Sequence, residues 1–446
     1  MTVWVHNFLT PLPGGTGCQA NAITPDGTKI VGWSSGTGFT SHACLWEKSG
    51  DTYGAPVDLG TLTGPAPTSV AYGISSDGTT VFGAASDGAV FPSQPTTRAF
   101  LWTSGGGMVA LASNAGIVGN EDAAAYCGSH TGATIAGAAV GSGTGNQQPC
   151  YWTLSGSVIT PLPTIGGPAD ADTQGSVLAC ADDASVFAGT VSSDLGGNTY
   201  AVIWSGVGHT ATDLGDLGGG TYAIANGISA AGTTVVGQAL DSGSVSHAFS
   251  WTSGGGMVDL GVPAGASSAL AQSISGDGLT VGGTAIGGAD LCWLWTAAGG
   301  FVQLPVTTTG SVQGLSSDGS VPVGYVEAVS PTLAVRWGPA VPPPTPAILN
   351  MDNVIVTCLA TESPCTVAQY TTPPPFAGPA LGLRWSDTRG ATWGNAVPRP
   401  FSTDPLWQPR WNRTGYARDR VFELFWSAAL KTALNGAFVE TVPWQS

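Results

Sequence analysis

The stretch Tyr222-Ala-Ile-Ala-Asn-Gly-Ile-Ser-Ala-Ala-Gly-Thr-Thr-Val-Val-Gly237, followed by Ser246-His-Ala-Phe-Ser-Trp251 and Gly255-Gly-Met-Val-Asp-Leu-Gly261, decides the fold, because the chain repeats it. Val70-Ala-Tyr-Gly-Ile-Ser-Ser-Asp-Gly-Thr-Thr-Val-Phe-Gly83 leads in the same order to Arg98-Ala-Phe-Leu-Trp102 and Gly106-Gly-Met-Val-Ala-Leu111. A tryptophan closes each copy, at Trp46, Trp102, Trp152, Trp204, Trp251, Trp295 and Trp337, with spacings of 42 to 56 residues. Hairpin turns recur at Asp26-Gly27, Asp77-Gly78, Thr131-Gly132, Asp182-Asp183, Ala231-Gly232, Asp277-Gly278 and Asp318-Gly319. Asp-Gly between apolar β-formers is a strong hairpin signal, because the type I′ turn it predicts needs positive φ. Each copy therefore reads as three strands, with a fourth of the Met-Val-Asp-Leu kind after the Trp.

Four short strands at this period are the spacing of propeller blades. One blade cannot bury both of its faces, so neighbours must cover it and the ring must close. The seven Trp are expected to anchor the blades, with Gly and Ala positions letting backbones approach. Fourth strands follow six of them, at Val57–Leu59, Met108–Leu111, Val158–Leu162, Thr212–Leu214, Met257–Leu260 and Phe301–Leu304. After Trp337 comes Gly-Pro-Ala-Val-Pro-Pro-Pro, which cannot supply a strand because proline lacks the donor. The missing copy lies at the chain start, where Phe8-Leu-Thr-Pro-Leu-Pro-Gly-Gly15 echoes Val158-Ile-Thr-Pro-Leu-Pro-Thr-Ile-Gly-Gly167. Phe8–Leu12 is thus expected to complete the last blade and leave no open edge. The fold class is all-β: a seven-bladed propeller over 1–338, a Pro-rich linker at 339–346, and a small β-domain over 347–446.

Composition agrees. The 446 residues include 67 Gly and 42% hydrophobic side chains, with only 9% charged. Such a chain has core material enough to exclude disorder, and its Gly, Ser, Thr and Val starve helices. A net charge of −16 argues against tight nucleic-acid binding, which relies on Lys and Arg neutralising phosphates. No apolar run reaches about 18 residues, so no membrane span is expected. The start, Met1-Thr-Val-Trp-Val-His-Asn-Phe-Leu-Thr, lacks the basic and apolar regions of a secretory signal. Among the eight cysteines, Cys358 and Cys365 are spaced to bridge a loop. Cys44 and Cys150 take the repeat position of Phe100, Val202 and Phe249, and so read as small core hydrophobes. No Cys/His set has zinc spacing.

The repeats resemble the HAF-type "extracellular" repeat, through His247-Ala248-Phe249 and, altered, His42-Ala43-Cys44. The resemblance spans residues 8 to 337. It implies a propeller of a kind found in surface-exposed or secreted proteins, without naming a ligand.

Charge changes along the chain. Residues 1–338 hold 4 basic and 21 acidic side chains, whereas 347–446 hold 8 basic and 7 acidic. Five of those eight are Arg410, Arg413, Arg418, Arg420 and Lys431. Such a partition suggests two surfaces with two tasks. Here Arg384-Trp-Ser-Asp-Thr-Arg-Gly-Ala-Thr-Trp-Gly394 precedes Arg410-Trp-Asn-Arg413, Arg418-Asp-Arg-Val-Phe-Glu423 and Gly436-Ala-Phe-Val-Glu440. These motifs resemble the C-terminal signature of bacteriophage packaged-DNA stabilisation proteins, nozzle-type tail components of short-tailed phages. The resemblance implies a structural protein of the virion tail that helps retain or conduct packaged DNA. It further implies a homo-oligomeric ring, adaptor, nozzle or fibre proteins as partners, and strands for Val421–Trp426. Arg384, Arg410, Arg413, Arg418 and Arg420 are the expected interface residues. The competing expectation is a tail-fibre-associated or surface propeller that binds a host receptor or glycan.

Motifs of chemistry are weaker. Gly32-Trp-Ser-Ser-Gly36 matches the nucleophile-elbow pattern, which needs a strand–turn–helix setting with Asp and His after it. Asp170-Ala-Asp-Thr-Gln-Gly175 starts like a calcium loop but has Ala181 where Glu belongs. Ser386-Asp-Thr-Arg-Gly-Ala-Thr-Trp393 is like the structural Asp-box hairpin, without paired carboxylates for glycoside hydrolysis. The expectation is no enzyme, no cofactor and no metal.

Overall fold

A computed structural model describes residues 4–62, 68–86, 97–112, 122–140, 146–154, 158–165, 174–192, 197–287, 291–306, 309–327 and 331–339, plus five strands nearer the C-terminus. The chain divides into two compact units, 1–341 and 342–446. In the first unit the described residues form seven antiparallel sheets. Each successive sheet packs on the next, and the seventh packs on the first. This is an all-β, seven-bladed propeller.

The inner strands of blades 1 to 7 are Cys18–Ile23, Ser69–Ile74, Ala123–Gly128, Gln174–Cys180, Ala223–Ile228, Ala266–Ile274 and Gly310–Leu315. Outer strands in blades 1 to 6 are Val57–Asp58, Gly107–Ala110, Val158–Pro161, Thr210–Asp213, Gly256–Gly261 and Gly300–Gln303. The chain start supplies the outer strand of blade 7, as expected, but with Trp4–Phe8 and not Phe8–Leu12. Trp4 pairs opposite Pro339 and Phe8 opposite Val335, after which the Leu9 N–H donates to the Ala334 carbonyl at 2.9 Å. Leu59, Leu111, Leu162, Leu214 and Leu304 donate in the same way to Ala43, Ala99, Pro149, Ala201 and Cys292. Leu9, not Leu12, is therefore the counterpart of Leu162. Short outer strands limit edge-to-edge pairing between molecules.

The hairpins joining first and second strands differ from the two-residue turn expected. Thr24 N–H donates to Lys29 O and Gly27 N–H to Thr24 O, so the loop has four residues. Only its third residue is left-handed: Gly27 has φ 68°, Gly78 69° and Gly319 69°. Loops of this length are most often built on a type I turn. In blade 4 the left-handed place falls to Ala184, φ 57°, one residue beyond the Asp182-Asp183 pair expected to turn.

Every inner strand carries a bulge at one and the same place, at Asn21, Tyr72, Tyr126, Leu178, Asn226, Gln272 and Gln313. The glycine that recurs in every second strand answers it. A Cβ on Gly83 would lie 2.0 Å from the Val70 carbonyl oxygen, and one on Gly237 1.9 Å from that of Ile224. A side chain there has no space.

One hydrophobic cluster fills each junction between blades. The anchor tryptophans fall into two sets. Trp46, Trp152, Trp204 and Trp337 are fully buried. Their indole N–H groups donate across the junction to the carbonyls of Thr10, Ala112, Pro163 and Pro305, at 2.8, 2.8, 2.7 and 3.2 Å. Each acceptor directly follows the outer-strand Leu of the preceding blade. Trp102, Trp251 and Trp295 are only half-buried, and their junctions are filled two residues earlier by buried Phe100, Phe249 and Trp293. There the preceding blade ends in Asp-Leu-Gly: Asp58 Oδ1, Asp213 Oδ1 and Asp259 Oδ1 accept from the N–H of Gly60, Gly215 and Gly261. Those glycines have φ of 78°, 87° and 86°, which turns the chain before an extended residue can offer its carbonyl to the indole.

In the second unit Ala380–Ser386 lies between Val397–Pro400 and Val421–Trp426, and Asn353–Val356 pairs with Ala437–Glu440.

Candidate functional site

The inner strands surround the propeller axis, and two sets of residues define what meets it. At one end the four-residue loops are stitched into a ring. His130 N–H donates to Asp182 O, Asp182 to Ala230 O, Ala230 to Gly276 O and Ser317 to Pro25 O, at 2.6 to 3.0 Å. Asp77 N–H reaches His130 O and Asp277 N–H reaches Ser317 O, both at 2.9 Å. The junction from blade 1 to blade 2 has no such bond, because Pro25 carries no N–H. Lys29 Nζ spans it instead, donating to Gly78 O at 2.8 Å. Across this end the Ser76 hydroxyl of blade 2 donates to Asp182 of blade 4, past His130 of blade 3, whose Nδ1 lies 3.3 Å from Asp182 Oδ2.

The loops share a polar frame. The Ser316 hydroxyl donates to Asp318 Oδ1 at 2.8 Å, and the Ser320 N–H to the same oxygen at 2.9 Å. The Val321 N–H then donates to the Ser316 hydroxyl at 2.9 Å. Thr24 with Asp26, Ser75 with Asp77 and Ser275 with Asp277 repeat the arrangement. Hydrogen bonds from the Ser320 N–H and hydroxyl, joined by Ser316, hold the Asp318 carboxyl below its usual range. Those from the Ser185 hydroxyl and N–H do the same for Asp183. At Asp26 and Asp77 slight burial pushes upward, but bonds from Thr24 and Thr28, and from Ser75 and Thr79, outweigh it. This end of the disc is therefore anionic.

The wall of the channel is different. The seven inner strands contain no Asp, Glu, Lys, Arg or His. Neighbouring blades cover both faces of each strand, so the half-buried side chains lifted out by the bulges are open toward the axis. Two of them reach the next blade's backbone and two pack on each other. Asn21 Nδ2 donates to the Ala71 carbonyl at 2.7 Å and Asn226 Nδ2 to that of Ala271 at 2.8 Å. The rings of Tyr72 and Tyr126 lie 5.1 Å apart, tilted by 45°. Burial pushes both phenols up. Neither hydroxyl has a hydrogen-bond partner among the described residues. Among the described residues the propeller's acidic side chains lie off these inner strands, and Asp26, Asp77, Asp182, Asp183, Asp277 and Asp318 belong to the loops at the stitched end.

The histidine of the His-Ala-Phe motif is a cross-strand strut. His247 Nδ1 lies 2.8 Å from Asp259 Oδ2, and His42 Nδ1 lies 3.0 Å from Asp58 Oδ2. Each holds the Asp that caps an Asp-Leu-Gly turn. The sequence signal was the co-occurrence of the two motifs in blades 1 and 5.

Gly32–Gly36 belongs to the strand Lys29–Gly36, the second of its blade. Ser34 is buried and its hydroxyl accepts from the Leu12 N–H at 2.8 Å, so the setting of a nucleophile elbow is not met. Cys44 and Cys150 are buried as expected of core hydrophobes, and burial pushes their thiols up. Arg384 stands opposite Glu423 in the strand register. Arg410, Arg413, Arg418 and Arg420 lie outside the described residues, as do the linker at 340–346, Cys358, Cys365, Asp170, Asp172 and most of the Asp-box stretch.

No family model matches the chain, and no curated protein matches it. Among solved structures it is similar to TolB from Acinetobacter baumannii, at 17% identity over 67% of this chain and 65% of that one, with a TM-score of 0.40. It is similar to one of two prolyl endopeptidases, at 12% identity over 79% of this chain and 52% of that chain, TM-score 0.48. Oligogalacturonate lyase from Vibrio parahaemolyticus is another, at 9% identity over 75% and 97%, TM-score 0.43. The chain thus spans less than two thirds of the length of the Acinetobacter TolB and about half that of the endopeptidase. These are likenesses of fold.

Proposed function

We propose that this chain is a non-catalytic structural protein of a tailed-phage virion, a nozzle-type component in which a rigid seven-bladed disc accompanies a smaller arginine-bearing unit that docks into the tail. The reading rests on the second unit. The two motif stretches Arg384-Trp-Ser and Val421-Phe-Glu-Leu-Phe-Trp, far apart in sequence, are adjacent antiparallel strands of one sheet. An arginine-rich segment facing acidic propeller surface on a neighbour would give electrostatic complementarity, and a ring would multiply weak contacts.

Electron microscopy of the purified full chain, alone and mixed with portal–adaptor complexes, tests this. Rings, or density docked on the complex, are expected. A monomer that docks on neither would remove the nozzle assignment. A second reading, a surface propeller that binds a host receptor or glycan, is favoured by the uncharged channel wall and its tyrosine pair.

A further inference from the structure

We infer that the axial channel is a binding site for a neutral saccharide, held by the ring of bulged side chains Asn21, Tyr72, Tyr126, Asn226, Gln272 and Gln313. The inference deepens the glycan reading by naming a ligand class and a place. It is independent of any role in the tail.

The wall offers three things together. It has aromatic faces, from Tyr72 and Tyr126, on which the C–H face of a pyranose can pack. It has neutral donors and acceptors: the two free phenol hydroxyls, the Gln272 amide, the Asn226 Oδ1 and the Gln313 Oε1, none of them bonded within the described residues. Gln313 Nε2 is turned to Ser311 Oγ at 2.8 Å, which leaves its oxygen forward. And it has no formal charge. An anionic ligand would leave water without a counter-charge, which is costly. A site built of hydrogen-bonding groups without charge suits a ligand that is polar everywhere and ionised nowhere.

A peptide strand is the rival occupant. Adding a strand to the inner edge would need the carbonyls that face the axis. Asn21 Nδ2 and Asn226 Nδ2 already bond to those of Ala71 and Ala271, so the inner edges of blades 2 and 6 are each capped by a side chain of the preceding blade.

Saturation-transfer NMR and calorimetry of the full chain with maltose, cellobiose, diacetylchitobiose, digalacturonate and a neutral Gly/Gln hexapeptide would test this. At least one neutral disaccharide is expected to bind with Kd about 1 mM or below. Tyr126→Ala and Gln272→Leu should each weaken it about tenfold. Tyr72→Phe, which removes only a hydroxyl, should weaken it while leaving the melting temperature unchanged. Lack of binding by every neutral sugar would overturn the inference. So would digalacturonate or the peptide binding as tightly, or affinity indifferent to all three substitutions. A chain that binds sugar yet forms no ring would refute the nozzle reading alone.

Discussion

Closure by the chain start is tested most directly at Leu9. Nine residues from the N-terminus a leucine ordinarily contributes little, since chain ends are poorly tied down. Here Leu9 is only 5% exposed, comparable with Leu162 at 4% and Leu214 at 4% inside the ring. It packs with Cys18, Ile30, Trp46 and Val323, side chains of blades 1 and 7. Its truncation should therefore cost what truncation of a buried leucine costs, about 2–5 kcal/mol. Leu9→Ala and Leu162→Ala should lose similar stability in urea unfolding of the full chain, followed by tryptophan fluorescence, because both occupy the same repeat position. Leu9→Ala should also expose Trp4–Phe8 to protease first, since that strand pairs with Thr332–Pro339 alone. If Leu9→Ala stays within about 0.5 kcal/mol of the parent, the range of an ordinary surface change, while Leu162→Ala loses its full amount, closure does not run through this segment.

Three further outcomes follow from the junctions, the loops and the thiols. Replacing Trp46 or Trp204 by Phe should destabilise by about 1–3 kcal/mol more than Trp102→Phe or Trp251→Phe, since only the first pair leaves a carbonyl without its donor; equal melting-temperature losses would contradict this. The Asp26, Asp77, Asp183 and Asp318 carboxyls sit below their ordinary range. Their stabilisation is therefore present above the unfolded carboxylate value of about 3.9 and lost as pH falls through the lower folded values. Asp318→Asn should accordingly lower the melting temperature at pH 7 and flatten its decline in acid, and an unchanged profile would count against the loop frame. Cys44 and Cys150 should resist alkylation in the native protein and react only on unfolding, as read by peptide mass mapping.

Strand count and closure were legible because Trp, the second-strand Gly and the turn Asp-Gly recur at positions fixed by packing. The offset of closure was not. Phe8-Leu-Thr-Pro-Leu-Pro matches Val158-Ile-Thr-Pro-Leu-Pro by identity, yet the ring selects Leu9, whose following carbonyl at Thr10 meets the Trp46 indole. Leu12 is buried too, one loop further on, with its N–H on Ser34, so burial alone could not separate them. The left-handed Ala184 was illegible because nothing in an alanine announces positive φ. The bulges left an indirect trace. A glycine in the second strand of all seven copies marks a carbonyl pressed where a Cβ would be, and that reading places a channel-facing side chain opposite it.

The junctions show why the copies are not interchangeable. A left-handed glycine after the outer-strand Leu removes the carbonyl that would accept an indole. A Trp without that acceptor is drawn less fully into the junction, and the space must be filled two residues earlier by a second aromatic. Phe100, Phe249 and Trp293 do this, while Cys44, Cys150, Val202 and Val335 leave room for the buried Trp two residues later. The coupled positions lie on different blades, so each blade's choice is fixed by the end of the one before it. The closing strand obeys the same rule: Thr10 is not glycine, Cys44 is small, and Trp46 is buried and bonded. The chain start therefore behaves as a member of the repeat selected against blade 1, and a detached N-terminal arm would have no cause to satisfy that pairing.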